Sequence, residues 1–207
     1  MFRDRTDAGK QIAELLGDLP SDALVLGIPR GGVAVARAVA DALGLELDVV
    51  LARKMRAPMQ PELAIGAVAP DGTAVLDERV LGEIGILTKE FLDDEIERRV
   101  AEVDERLRRY RGDRPPLAVE GRTCVVVDDG IATGSTARAA CLWLKRRGAA
   151  QVILAVPVAP ARSLAELETI ADRVVCPMVP DHFFAVGQFY EDFQQTTDDQ
   201  VVELLAR

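Results

Sequence analysis

Apolar residues fall into two patterns along this chain. Short continuous runs mark strands buried on both faces, and stretches where apolar residues recur every three or four positions mark amphipathic helices. Residues 23–28 (ALVLGI), 47–52 (LDVVLA), 124–129 (CVVVDD), 151–156 (QVILAV) and 173–176 are runs of the first kind. Helices are predicted over 6–17, Gly31 to Leu43, 135–147 and 162–170. The first has Thr6 or Asp7 as its cap and Ile12, Leu15 and Leu16 as its apolar stripe. Two further strands, 63–69 and 73–77, are joined by a turn at Asp71-Gly72. From Thr88 to Tyr110 a long helix carries Leu92, Ile96, Val100, Val103, Leu107 and Tyr110 on one stripe. Its acid-before-base pairs, such as Asp94/Arg98 and Glu95/Arg99, predict a solvated face on a helix that covers the sheet or meets a second subunit. Gly112 to Pro116 ends it.

Alternating strands and helices with continuous Val/Ile/Leu runs imply an α/β fold, a Rossmann-like parallel sheet flanked by helices. The expected organisation is a single domain over 1–207, with a core of about 20–180. The tail, 181–207, breaks the alternation and is rich in aromatics, Asp and Gln, so a small separate element over the sheet is expected there.

Composition narrows the function classes. The formal charge of −9 disfavours a nucleic-acid or anionic-membrane binder, because phosphate backbones require a basic face. The opening MFRDRTDAGKQIAELL has no apolar core, so no signal peptide is expected, and no apolar run approaches the length of a membrane span. Cys124, Cys141 and Cys176 lie far apart in apolar stretches and read as core residues of a cytoplasmic protein.

The strongest chemical signal is VVVDDGIATGST (125–136). A buried strand delivers Asp128 and Asp129 to its C-terminal end, where open α/β sheets bind ligands. The loop that follows holds small residues and opens into a helix, presenting N–H groups and a positive dipole end to an anion. Adjacent acids repel phosphate, so sugar hydroxyls or a metal-bound group suit them, and ribose plus phosphate in one ligand satisfies both halves. A second loop, GIPRGG (27–32), also lies between a strand and a helix, but it has neither dinucleotide nor P-loop spacing. A third stretch, RKMRAPMQPE (53–62), is cationic and holds two prolines.

Residues 125–136 resemble the phosphoribosyl-pyrophosphate (PRPP) motif of type I phosphoribosyltransferases. By that resemblance Asp128 and Asp129 would bind ribose hydroxyls, and Ala132, Thr133, Gly134, Ser135 and Thr136 would wrap the 5′-phosphate. The 27–32 loop is similar to the family's pyrophosphate loop, which gives Arg30, Gly31 and Gly32 that role and places a non-proline cis peptide near Pro29–Arg30. The 53–62 stretch stands where the family has a mobile catalytic loop. There Lys54 is a candidate pyrophosphate contact and Glu62 a candidate for proton handling. The resemblance further implies Mg²⁺ as cofactor, held mainly by PRPP, with pyrophosphate as product. The acceptor would be small and planar, under a "hood" formed by the tail and residues 1–19. Phe183 and Phe184 are its candidate stacking rings. The alternative to aromatics that face an acceptor is a tail anchored on Ile12, Leu15 and Leu16. Oligomeric state stays open, a homodimer included. The competing reading is a non-catalytic PRPP- or nucleotide-sensing regulator on the same fold. The lone His182 is read as structural.

Overall fold

The computed structural model describes residues 1–206 apart from Met59 and Ile86; the side chains of Pro61, Glu62, Glu78 and Arg79 also lie outside the described residues. Helix α1 (Arg5–Leu16) begins at Asp4, whose carboxylate accepts the Asp7 N–H at 2.8 Å, so the cap stands two or three residues earlier than the sequence suggested. Then come β1 (Leu24–Gly27), α2 (Gly31–Leu43) and β2 (Glu46–Val49). Strands β3 (Arg53–Ala57), β4 (Gln60–Val68) and β5 (Ala74–Leu76) follow, with helices α3 (Glu78–Ile84) and α4 (Lys89–Arg111). The second half alternates again through β6 (Thr123–Val127), α5 (Ser135–Arg146), β7 (Gln151–Ala155), α6 (Ala161–Leu167) and β8 (Arg173–Val175). A 3-10 turn (Val186–Phe189) and helix α7 (Asp198–Ala206) end the described chain.

The main sheet has the order β2-β1-β6-β7-β8, with each neighbouring pair parallel. Every residue of β1 and β6 is buried, which is why these strands read as unbroken apolar runs. Successive residues serve opposite faces. Leu24, Leu26, Cys124 and Val126 pack with Ala137, Ala140, Cys141 and Leu144 of α5. Val25, Val125 and Val127 pack with Ile12 and Leu16 of α1 and with Val35 and Val39 of α2. Fully burying each such Val, Leu or Ile contributes ~1.5–3 kcal/mol. From β1 the chain moves outward to β2 on one side and later returns to β6 on the other. The order therefore reverses between β1 and β6, the place where α/β sheets form a ligand crevice.

The 53–62 stretch is corrected. It is not an open loop but β3 and the start of β4, paired antiparallel in a separate sheet of order β3-β4-β5. Its residues alternate, with Met55 and Ala57 buried and Lys54 and Arg56 exposed, a period of two that the neighbouring prolines obscured. This sheet packs its apolar face on Phe91, Leu92, Ile96 and Val100 of α4.

Helix α4 is also less solvated than its charge pattern implied. Glu95 is 2% exposed. Its carboxylate accepts the Arg56 N–H at 3.0 Å and the Arg99 Nε at 2.8 Å, turned toward β3 rather than water. At its far end Tyr110 is buried and donates to Asp198 of α7 at 2.6 Å. Burial, and then this hydrogen bond, push the Tyr110 hydroxyl up to about 12.

Candidate active site

Both sequence motifs emerge at the reversal point. The 27–32 loop leaves β1 and the 128–134 loop leaves β6, and these two strands pair side by side, Gly27 opposite Val127. The Pro29–Arg30 peptide is cis. Gly31 and Gly32 serve close packing. A Cβ on Gly32 would meet the Asp128 Cα and the Val127 carbonyl at 2.8 Å, and one on Gly31 would fall on the Asp129 carboxylate. Gly134, at φ 78°, begins α5 with no side chain capping it, so the first amides of that helix are not capped by a side chain. Ala132 and Thr133 are exposed, Ser135 and Thr136 half-buried, and the Thr133 and Ser135 hydroxyls lie 3.4 Å apart. The Ser163 hydroxyl donates to the Ala132 carbonyl at 2.6 Å, anchoring the loop to α6.

A pocket of about 250 Å³ opens between these loops and the second sheet. Asp128 and Thr136 line it, together with five cations: Arg53, Lys54, Arg56, Arg99 and Arg106. Lys54 lines this pocket from β3, whereas Glu62 is on β4 with its side chain outside the described residues. Arg99 and Arg106 were not anticipated. They come from α4, where the sequence showed only paired surface charge. Two cations of the set are held by Glu102, with Arg53 Nη2 at 2.8 Å and Arg99 Nη1 at 2.6 Å. Arg–carboxylate contacts of this kind fix a guanidinium in place before any ligand arrives.

The two acids differ. Asp128 faces the pocket, and its Oδ1 accepts the Asp129 N–H at 2.8 Å. Burial, and then the neighbouring Asp129 charge, raise its carboxyl well above the usual range. The Asp129 carboxylate instead accepts from Arg5 at 2.8 Å. Its main-chain carbonyl accepts from the Tyr190 hydroxyl at 2.6 Å.

The tail reaches this edge through its rings. Tyr190 is buried beside Phe2, with centroids 5.4 Å apart, and that cluster includes Ala8. The anchor is therefore Phe2 and Ala8. Ile12 and Leu16 belong to the sheet core, and Leu15 is 51% exposed. Gly130, at φ 153°, lets the tail approach, since a Cβ there would meet Val186 at 2.5 Å. The two candidate rings separate: Phe183 is half-buried on Phe189 at 5.5 Å, and Phe184 is 89% exposed. His182 is exposed.

The parallel sheet brings an acid-bearing edge, a helix start with no side-chain cap and a cationic pocket together at one place. Comparison with known proteins shows the family. Residues 4–194 match the family model of the phosphoribosyl transferase domain, and the chain belongs to that family. Two Mycobacterium tuberculosis sequences, from strains H37Rv and CDC 1551, are each described as a candidate phosphoribosyl transferase. They are 47% identical over 209 residues and match all of this chain but 47% of their own length. The chain thus spans about half the length of the curated relatives it matches. The crystal structure of TT1426 from Thermus thermophilus is 43% identical, with a TM-score of 0.85 over 99% of this chain and 97% of that one. A Neisseria gonorrhoeae protein with bound ppGpp shares the fold at 15% identity, with a TM-score of 0.53 over 100% of this chain and 97% of its own.

Proposed function

We infer that this chain transfers the 5-phosphoribosyl group of PRPP to a small planar acceptor and releases pyrophosphate. The observation that carries this reading is Asp128 set in a pocket of five cations, beside the uncapped start of α5. The 5′-phosphate would take the amides and hydroxyls of 132–136. The pyrophosphate would take the cationic pocket, and Asp128 the ribose hydroxyls. Displacement at the anomeric carbon passes through a ribosyl-cation-like state and needs no protein nucleophile. The protein's share is to position two substrates and to stabilise the departing charge with Lys54, Arg106 and the 27–32 loop.

Mg²⁺ is part of this proposal. Among the described residues no group of three or more His, Cys, Asp or Glu side chains could hold a metal. The pocket offers one carboxylate and one hydroxyl among its lining side chains, a donor set suited to an ion carried mainly by phosphate oxygens. Bound there, the ion would neutralise pyrophosphate charge. No helix among the described residues is long and apolar enough to cross a membrane. Three free thiols suit a reducing cytoplasm.

The test is turnover of isotope-labelled PRPP with Mg²⁺ against a panel of nucleobases; PRPP bound with no acceptor consumed would sink the transferase reading. The second reading, a nucleotide-sensing domain, draws support from the ppGpp-bound neighbour of the same fold. Tight ppGpp binding without turnover would favour it. For the acceptor, we place the base against Phe183. Stacking of a base on a ring is worth ~1–3 kcal/mol, so Phe183→Leu should raise the acceptor KM. Phe184→Leu, at a ring facing solvent, should leave that KM unchanged, and equal effects would move the acceptor elsewhere.

A further inference from the structure

Arg5 belongs to neither motif. It leaves the first turn of α1 and crosses to Asp129, with Nε and Nη2 each 2.8 Å from Oδ2. Its Nη1 donates to the Gln194 carbonyl at 2.7 Å, and its guanidinium lies 4.0 Å above the centre of the Phe193 ring. The Arg5 side chain is 12% exposed and that of Asp129 16%, so this pair is sheltered from the screening that makes surface pairs weak. Tyr190 grips the same residue from its main chain. Gly31 completes the arrangement, because a Cβ there would also stand 2.8 Å from the Arg5 Nε. Three segments far apart in sequence thus meet around the Arg5–Asp129 pair: the first helix, the acid loop and the aromatic tail.

We propose that Arg5 is a positioning residue for the phosphoribosyl site, committing Asp129 to an ion pair that fixes the acid loop and leaves Asp128 as the carboxylate that meets the ligand. This rests on the phosphoribosyl-transfer reading above. Two adjacent carboxylates at one sheet edge repel each other and any phosphate brought to them. A guanidinium on Asp129 answers one of those charges from within the protein, so the ligand has only Asp128 to satisfy. The same guanidinium binds the tail through the Gln194 carbonyl and the Phe193 ring, so it ties the tail to the acid loop. Arg5 touches no substrate in this scheme and acts through Asp129.

The experiment is a calorimetric titration of the full chain with PRPP and Mg²⁺. It uses wild type, Arg5→Lys, Arg5→Gln, Asp129→Asn and the Arg5→Gln/Asp129→Asn double mutant, with each unfolding temperature measured alongside. Arg5→Gln is expected to weaken PRPP binding at least about tenfold while still folded, and Arg5→Lys to recover part of that loss by restoring the charge without the planar fork. The double mutant should bind no more weakly than Arg5→Gln, because the two residues act as a unit. Wild-type affinity in Arg5→Gln, or a double mutant showing the product of two independent losses, would overturn the assignment. Should Arg5→Gln fail to fold, Tyr190→Phe carries the test. It removes the second grip on Asp129 and keeps the ring, so weakened PRPP binding near normal stability supports the proposal and unchanged binding overturns it. Wild-type protein that binds no PRPP would overturn the functional reading itself, an outcome separate from all of these.

Discussion

At the residue scale, Asp128 and Ala132 make the sharpest statements. The Asp128 carboxyl is pushed well above its usual range by burial and by Asp129. Between its unfolded and folded values the native protein holds a proton that the unfolded chain has released. Stability therefore falls as pH rises through that window. Asp128→Asn removes the charge and can keep the acceptor for the Asp129 N–H. The mutant should melt higher than wild type at neutral pH and should bind PRPP much more weakly. A mutant that melts lower at neutral pH and still binds PRPP would place the acid outside the site. Ala132 speaks to the acceptor. The 6-oxopurine enzymes of the resembled family carry an Asp at this point of the motif, where it handles a ring proton. Loss of a positioned base typically costs ~10²–10⁴ in rate. Hypoxanthine, guanine and xanthine are thus expected to be poor acceptors, and efficient guanine turnover in a steady-state assay would refute this.

At the element scale, the parallel sheet was legible and the charged helix was not. Strands β1, β6 and β7 announce themselves because burial on both faces fills them with apolar residues, Thr123 and Gln151 at the strand starts apart. The two loops that meet at the sheet edge were legible for a related reason, since runs of small residues between a buried strand and a helix mark a tight, closely packed turn. Strand β3 was hidden because three of its residues, Arg53, Lys54 and Arg56, line the pocket as cations, which made a strand look like an exposed loop. Arg99, Arg106 and Arg5 were hidden because a guanidinium reaching across the fold leaves no local pattern. Glu95 shows the same limit. By sequence it is an i,i+4 partner worth a few tenths of a kcal/mol, and in the fold it is the buried joint between α4 and β3. Its contact with Arg98 counts little, because that side chain is 62% exposed. Breaking the buried contacts is another matter, so Glu95→Ala should cost about 3 kcal/mol. That loss corresponds to a fall in Tm of roughly 6–12 °C for a chain of this size. A change within error by calorimetry would show that α4 and β3 are held by their apolar face alone.

At the scale of the whole molecule, charge is distributed against the anionic ligand proposed for the site. The chain carries a formal charge of −9, yet its pocket gathers five cations around one acid. Glu95 and Glu102 neutralise part of that set, so the attraction offered to a pyrophosphate is local and short in range. The repulsion comes from the surface as a whole and reaches farther. Salt should separate the two. Raising ionic strength from about 0.01 M to about 0.1 M shortens the screening length from about 30 Å to about 10 Å. That shortening removes the distant repulsion before it weakens contacts inside the pocket. The association rate of PRPP, followed by stopped flow, should therefore rise over this range. The affinity should fall only at higher salt, where the pocket itself is screened. Removing a pocket cation that Glu102 does not hold, as in Arg106→Gln, should weaken binding at every salt and leave the initial rise in place, because the rise belongs to the surface. An association rate that falls steadily from the lowest salt upward would mean that the pocket's field governs the approach from the start, and that the acidic surface has no say in it.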